Sequence, residues 1–243
     1  MKKLLSILLS LYLVLALILV GCTVQVTYED YDQSDAIAFK AEHEALNGVS
    51  NPNNPDLVFQ YMYVPESNPF VYVELSDLVY LLKSEGTGIF YLGFPNCPWC
   101  RNFVPVMIDA ARSFGVTEIG YRNILYDRNI LELRDGEIYT VRDGDPYYYR
   151  LLEILGDLAP IYTGLEDDSI RRVFVPAVLF VREGNVIHYM GALESFRERV
   201  MDTELGGWQD KLPNEETELR RLFYYWFSRT FQVERQGNCM VPC

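Results

Sequence analysis

The chain predicts an α/β domain in which strands alternate with amphipathic helices, and three stretches carry that expectation. An apolar run, Gly88-Ile89-Phe90-Tyr91-Leu92, reads as a buried strand and leads within a few residues into a helical pattern over 101–114. A second run, Ala177-Val178-Leu179-Phe180-Val181, is joined through Glu183-Gly184-Asn185 to Val186-Ile187-His188-Tyr189-Met190, the layout of a hairpin. Toward the end, Leu219, Leu222, Phe223, Trp226 and Phe227 fall on one side of a helix expected over 215–231 with Asn214 as its cap. That stripe is read as core-facing.

Taken in order, Lys2 and Lys3 precede an apolar run over 4–20, the layout of a secretory signal. The run ends in Leu19-Val20-Gly21-Cys22, which resembles the lipobox of bacterial lipoproteins. That resemblance implies cleavage before Cys22 and a diacylglyceryl group on its sulfur, and two acyl chains anchor stably where one does not. The alternative is an uncleaved helix, since the apolar run reaches the low end of a spanning length. Both readings put the basic end inside and the rest of the chain outside. Residues 23–33 form a polar, acidic tether. Ser34 is expected to cap a helix to Leu46 with Ile37, Ala41 and Ala45 on its apolar side and Gly48 beyond its end. Asn51-Pro52-Asn53-Asn54-Pro55 is a break, residues 56–64 alternate weakly as an extra strand, and Val71-Tyr72-Val73 reads as a strand. Ser76 is expected to cap a helix bearing Leu78, Val79, Leu81 and Leu82, and residues 117–124 read as the next strand. Asp135-Gly136 and Asp143-Gly144 bracket a small hairpin, and a helix is expected over 146–158. Tyr147, Tyr148 and Tyr149 open that helix, with packing against the sheet favoured over a peptide-binding wall.

The formal net charge is −13, and loss of Lys2 and Lys3 with a signal would make it more negative. Such a surface argues against nucleic acid and against adhesion to anionic lipid, both of which it would repel. The five cysteines divide without remainder: Cys22 for lipid, Cys97 with Cys100, and Cys239 with Cys243 in the tail. An exported chain with no odd thiol fits an oxidising compartment. The tail pair is read first as a weak structural staple, because so short a loop gains little from closure. A second reading makes it a mobile relay that exchanges disulfides with the Cys97–Cys100 pair.

The chemistry centres on Cys97-Pro98-Trp99-Cys100. Two cysteines two residues apart can close and reopen a disulfide. Zinc knuckles share this spacing but need a second ligand pair, which no nearby Cys or His provides. Placed between a strand and a helix, Cys97 would sit at a helix N-terminus, where free N–H groups and the dipole favour a thiolate. Its pKa is therefore expected below the ordinary ~8.5. Cys97 would exchange with a partner's sulfur and Cys100, buried one turn on, would resolve the mixed disulfide. Pro98 suits the first helical position. Trp99 would offer an apolar face beside the sulfur to extended backbone. His43 and His188 are the only histidines, and neither is placed near Cys97 by spacing.

These residues resemble the thioredoxin-like family. Pro105 falls where that family carries a proline in its active-site helix. Val175-Pro176 ahead of 177–181 is similar to its cis-proline loop, and Gly191-Ala192-Leu193 to the end of its last strand. The resemblance runs over about Pro69 to Phe231. More narrowly, Phe94-Pro95-Asn96-Cys97-Pro98-Trp99-Cys100-Arg101-Asn102 looks like thioredoxin-like lipoproteins of Gram-positive bacteria related to bacteriocin-transport accessory proteins. It implies a central mixed sheet flanked by helices, with Cys97, Cys100 and Pro176 as catalytic residues and Trp99 and Val175 against substrate. Thioredoxins carry a buried aspartate where Tyr91 stands, and their span between Cys100 and Pro176 is shorter. The implied organisation is a signal peptide over 1–21, a tether and extension over 22–68, a thioredoxin-like domain over 69–233 with an insertion at about 122–168, and a tail over 234–243 with Cys239 and Cys243. The function expected is thiol–disulfide exchange on exported cysteine-containing proteins, with a membrane electron donor or acceptor as second partner, a lipid-anchored extracytoplasmic location, and no cofactor, metal or nucleic acid. A redox-inert accessory lipoprotein and a metal-binding module are the alternatives. Pro98, Val175 and the missing acid lean toward oxidase or isomerase, and a reductase stays open.

Overall fold

The computed structural model describes residues 33–52, 54–199 and 210–232. All of them lie in the compact unit that begins at Gln33. The signal, Cys22 and the Cys239–Cys243 tail lie outside the described residues. Among the described residues, no helix is long and apolar enough to cross a membrane.

A five-stranded mixed sheet forms the centre. Its strands are β3 (Phe70–Tyr72), β4 (Gly88–Gly93), β5 (Ile119–Asn123), β8 (Ala177–Arg182) and β9 (Asn185–Met190), in spatial order β3-β5-β4-β8-β9. β3, β5 and β4 run parallel, whereas β8 and β9 are antiparallel additions. Parallel neighbours need a crossover, and helix α3 (Pro98–Phe114) supplies the one between β4 and β5. Helix α2 (Leu75–Lys83) connects β3 to β4. Two small antiparallel pairs lie outside this sheet: β1 (Ser50–Asn51) with β2 (Asn54–Val58), and β6 (Ile130–Arg134) with β7 (Glu137–Arg142).

Alternation along the strands sends side chains to two opposite cores. Ile89, Tyr91, Tyr121, Val178 and Phe180 meet α3, helix α1 (Ser34–Glu44) and helix α6 (Pro213–Thr230). Phe90, Leu92, Ala177, Leu179 and Val181 meet α2 and helix α4 (Pro146–Leu155). A short helix, α5 (Glu194–Arg199), follows β9.

Several local expectations shift. The apolar face of α1 is Ala36, Phe39 and His43, while Ile37 is 53% exposed, because the sheet takes the aromatic side of the helix. α1 starts one residue after Gln33, so Ser34 does not cap it. α2 begins earlier than Ser76: Glu74 is its cap, and the Asp77 carboxylate accepts from the Glu74 N–H. α6 begins at Pro213 rather than after Asn214, with Glu215 accepting the Leu212 N–H. The expected strand over 56–64 ends at Val58; Phe59 still exchanges backbone hydrogen bonds with Val49 and Gly48, and Met62 and Val64 beyond it are buried. The helix expected to 158 ends at Leu155 and tightens into a 3₁₀ turn, Gly156–Leu158. In that helix Tyr148 is buried, Tyr149 is half-buried against the same core and Tyr147 is exposed, so packing explains two of the three tyrosines. α3 is continuous through Pro105 and stops at Gly115, whose positive φ of 87° lets its N–H reach Ala111 O.

Candidate redox site

Strand β4 ends at Gly93, and the chain turns through Phe94-Pro95-Asn96 so that Cys97 becomes the cap of α3. Its sulfur accepts the Cys100 N–H at 3.2 Å, and its carbonyl accepts the Arg101 N–H at 3.0 Å. Pro98 occupies the first turn, where a missing N–H costs nothing. Both cysteines are free thiols in this structure. Across from them the Val175–Pro176 peptide is cis, and the Cys97 thiol donates to Val175 O at 3.8 Å. The residues singled out from the sequence therefore converge: Cys97, Cys100 and Val175 are in contact, with Pro176 next along the chain. Trp99 is half-buried beside them, and its indole N–H donates to Arg197 O at 3.2 Å, which fixes the ring against α5.

Cys97 departs from the thiolate expected of it. It is only 2% exposed, close to the 0% of Cys100, so it is not an open nucleophile. Burial pushes its thiol well above the ordinary value, and the adjacent Cys100 adds to this, against backbone N–H groups of Cys100 and Trp99 that pull the other way. At Cys100 burial also opposes ionisation. The Cys97 thiol, the Tyr91 hydroxyl, the Phe94 N–H and the Arg128 guanidinium together outweigh it and bring Cys100 below its ordinary value. The pair gives up its first proton with the charge resting at Cys100, and repulsion between adjacent thiolates resists the second. The helix N-terminus thus acts on Cys97 as expected, through the N–H groups of Cys100 and Trp99, but burial and the neighbouring Cys100 outweigh it.

Three supporting residues escaped the sequence reading. Arg101 is buried at the start of α3 and donates to Gln60 O at 2.7 Å, His43 O at 2.9 Å and Pro95 O at 3.1 Å, and also to Asn47. It thereby fastens the turn before Cys97 to the segment that follows α1. Its neighbour Asn102 donates to Pro98 O at 3.2 Å and accepts the Lys211 N–H at 3.0 Å. Arg128, from the stretch read as an insertion, is nearly buried. It stacks 4.9 Å over the Phe94 ring and donates to Val173 O at 3.4 Å. An arginine inside an apolar helix pattern was the available signal for Arg101. Nothing local marks Arg128, because only the chain's path over the sheet brings it to the pair.

The histidines stand apart from the sulfurs. His43 is buried against Phe39, with ring centroids 3.9 Å apart, and burial lowers its pKa to about 4. His188 stacks on Trp226 at 3.8 Å. Among the described residues no group of three or more His, Cys, Asp or Glu side chains could hold a metal ion. Comparison with known protein families and with curated proteins finds no match.

Proposed function

We propose that the chain is a thiol–disulfide oxidoreductase of thioredoxin-like fold, held outside a bacterial membrane by a lipid on Cys22 and acting on exported cysteine-containing proteins. The observation that carries this reading is the placement of Cys97 as the cap of α3 with its sulfur 3.8 Å from Val175 O, next to the cis Val175–Pro176 peptide. In that arrangement Cys97, after losing its proton, attacks one sulfur of a partner disulfide while the other leaves as a thiolate, and Cys100 then attacks the Cys97 sulfur one helical turn away. The partner's sulfur then leaves as a thiolate, and the Cys97–Cys100 disulfide forms. Run backwards, the same steps oxidise a partner dithiol. The sheet order and helix placement support the fold assignment, and the lipobox-like Leu19-Val20-Gly21-Cys22 supports the anchor.

The near-complete burial of Cys97 favours a second reading, a redox-inert accessory lipoprotein whose cysteines only pack. Trapping separates the two. In cells, Cys100→Ser protein should accumulate mixed disulfides with exported proteins and Cys97→Ser protein should not. Absence of adducts in both variants, with a wild-type pair that does not equilibrate with glutathione, would leave the accessory reading. Mass spectrometry of membrane-extracted protein should find an acylated Cys22 as its first residue; an intact Met1 there would instead mean a helix anchor.

A further inference from the structure

Three arginines gather beside the cysteine pair, each from a different stretch of chain. Arg128 lies in the turn after β5, Arg142 closes β7, and Arg172 stands in the segment ahead of β8. The Arg142 guanidinium donates to Leu125 O at 2.7 Å and to Arg128 O at 3.0 Å. That of Arg128 donates to Val173 O at 3.4 Å, next along the chain from Arg172. Each also lies over an aromatic ring: Arg128 over Phe94 at 4.9 Å, Arg142 over Tyr126 at 5.4 Å and Arg172 over Tyr162 at 4.2 Å. Among the described residues no carboxylate pairs with any of the three, although the chain has a net charge of −13. Elsewhere Arg122, Arg134, Arg150, Arg171, Arg220 and Arg221 each hold a carboxylate. The acids near the three are engaged already: Asp127 accepts from Arg122 at 2.7 Å and 3.0 Å, Asp143 from the Gly144 N–H and the Tyr149 hydroxyl, and Asp145 from the Tyr147 N–H. Arg128 is only 9% exposed and its Nε–H has no partner, and the enclosed Arg142 Nε–H has none either.

We propose that Arg128, Arg142 and Arg172 form a carboxylate-binding site that recognises an acidic side chain close to the cysteine of the substrate protein. This substrate class rests on the thiol–disulfide reading above. Arg128 bridges the two segments that frame the sulfur, since Phe94 leads into Cys97 and Val173 into Val175, whose carbonyl meets the Cys97 thiol. Three residues of chain span at most about 11 Å, so Arg172 lies within that distance of Val175. A substrate cysteine joined to Cys97 therefore brings side chains up to about three positions away within reach of the guanidiniums. A guanidinium is planar, stacks on an aromatic ring and offers paired N–H donors, which match the two oxygens of a carboxylate. The rest of the surface is acidic and repels such a segment, so this local positive field also sets the direction in which it enters.

The energetics of the free protein leave a place for such an anion. Enclosing guanidinium N–H groups without acceptors opposes folding, and like charges side by side repel. Burial first, then the charge of Arg128 and, less, that of Arg142, pushes Arg172 down to about 10, with Tyr148 opposing. Burial pushes Arg128 below its ordinary value and Arg142 adds to this, while Tyr148, Cys97 and Cys100 oppose. The sulfurs act on Arg128 and not on Arg172, so a thiolate offsets only the innermost of the three charges. A carboxylate from the substrate would relieve the other two.

The test uses the full chain and two peptides, each with two cysteines, that differ only in carrying Glu or Gln close to the first cysteine. Reduced protein is mixed with the disulfide peptides, and oxidised protein with the dithiol peptides. In the first reaction the peptide disulfide gains two electrons and becomes two thiols, while Cys97 and Cys100 lose two and close their own disulfide. The second reaction is its reverse. In the direction that proceeds, the second-order rate constant for the Glu peptide should exceed that for the Gln peptide roughly tenfold, the worth of one charge-assisted hydrogen bond. The gap should appear in the half-saturating peptide concentration rather than the limiting rate, and shrink several-fold at about 0.5 M salt. Arg172→Gln, where the guanidinium makes no hydrogen bond within the described fold, should bring the ratio close to one, and Arg172→Lys should keep part of it. Arg150→Gln removes the same charge from an exposed position on α4 and should leave the ratio as in wild type. Equal rates for the two peptides with wild-type protein overturn the site. A preference that persists in Arg172→Gln, or vanishes in Arg150→Gln, overturns it too. If neither peptide reacts in either direction, the thiol–disulfide reading fails and the site fails with it.

Discussion

The two faces of the central sheet differ in what they bury. The face under α2 and α4 is mainly aliphatic, built on Leu75, Leu78, Leu82, Leu92, Leu151, Leu179 and Val181. The face under α1, α3 and α6 is dense with rings, among them Phe39, Phe70, Tyr91, Phe103, Tyr121, Phe180 and Phe223. Its margin encloses charged and polar groups, His43, Arg101 and Asn102. Both faces exclude water; the second stores Tyr91 and the groups that fasten the turn before the sulfurs, while from the side of the first only Arg128, bonded to Val173 O and stacked on Phe94, reaches them. Because hydrophobic burial is non-directional and buried polar groups demand particular partners, the aliphatic face secures stability while the ring-rich face specifies geometry.

The sharpest way to break this contrast is to remove the polar fastening. Arg101→Met leaves several buried acceptors without their donor and should cost about 4 kcal/mol or more in chemical denaturation, together with slower thiol exchange. A loss below about 1 kcal/mol would show that the polar margin does not hold the site. On the opposite face, Leu78→Ala at a fully buried position should cost about 3 kcal/mol, with exchange kinetics unchanged once the protein is folded. An altered cysteine reactivity in that variant would erase the division of labour.

His43 supplies the pH test. Its pKa is 6.5 unfolded and about 4 folded, lowered mainly by burial, so the unfolded chain binds the extra proton between those values. Stability from this group is complete above pH 6.5 and falls as pH drops toward 4, by about 3 kcal/mol at 1.36 kcal/mol per unit. Denaturation midpoints of wild type and His43→Phe should diverge across that window and run parallel above it. Parallel curves throughout would refute the neutral, buried histidine. The smallest effect belongs to Tyr121→Phe, which removes a hydroxyl without a partner and should be neutral or stabilising by about 1 kcal/mol. A clear loss of melting temperature would mean that the hydroxyl has a structural partner.

The aliphatic face was legible residue by residue. The 177–181 run, the hairpin after it and the stripe at Leu78, Val79 and Leu82 follow from period-2 and period-3.6 patterns, which act locally. The helix caps were less so, because Ser34, Ser76 and Asn214 had the right chemistry while the chain entered each helix elsewhere. For α1 the pattern pointed to the wrong side, since Ile37, Ala41 and Ala45 keep helical spacing but the sheet offered a place to Phe39 and His43.

By itself the sequence determined the strand–helix junction at Cys97-Pro98-Trp99-Cys100, the hairpin and the amphipathic helices, since each depends on neighbours a few positions away. The tertiary structure alone decided which sulfur is favoured as thiolate. That balance depends on Arg128, Tyr91 and the enclosure of Cys97, groups separated along the chain and brought together by the sheet. It also decided the register that lines up Tyr72, Tyr121 and Tyr91. Electrostatic energies in a dry interior vary with distance and burial, neither of which a linear spacing encodes.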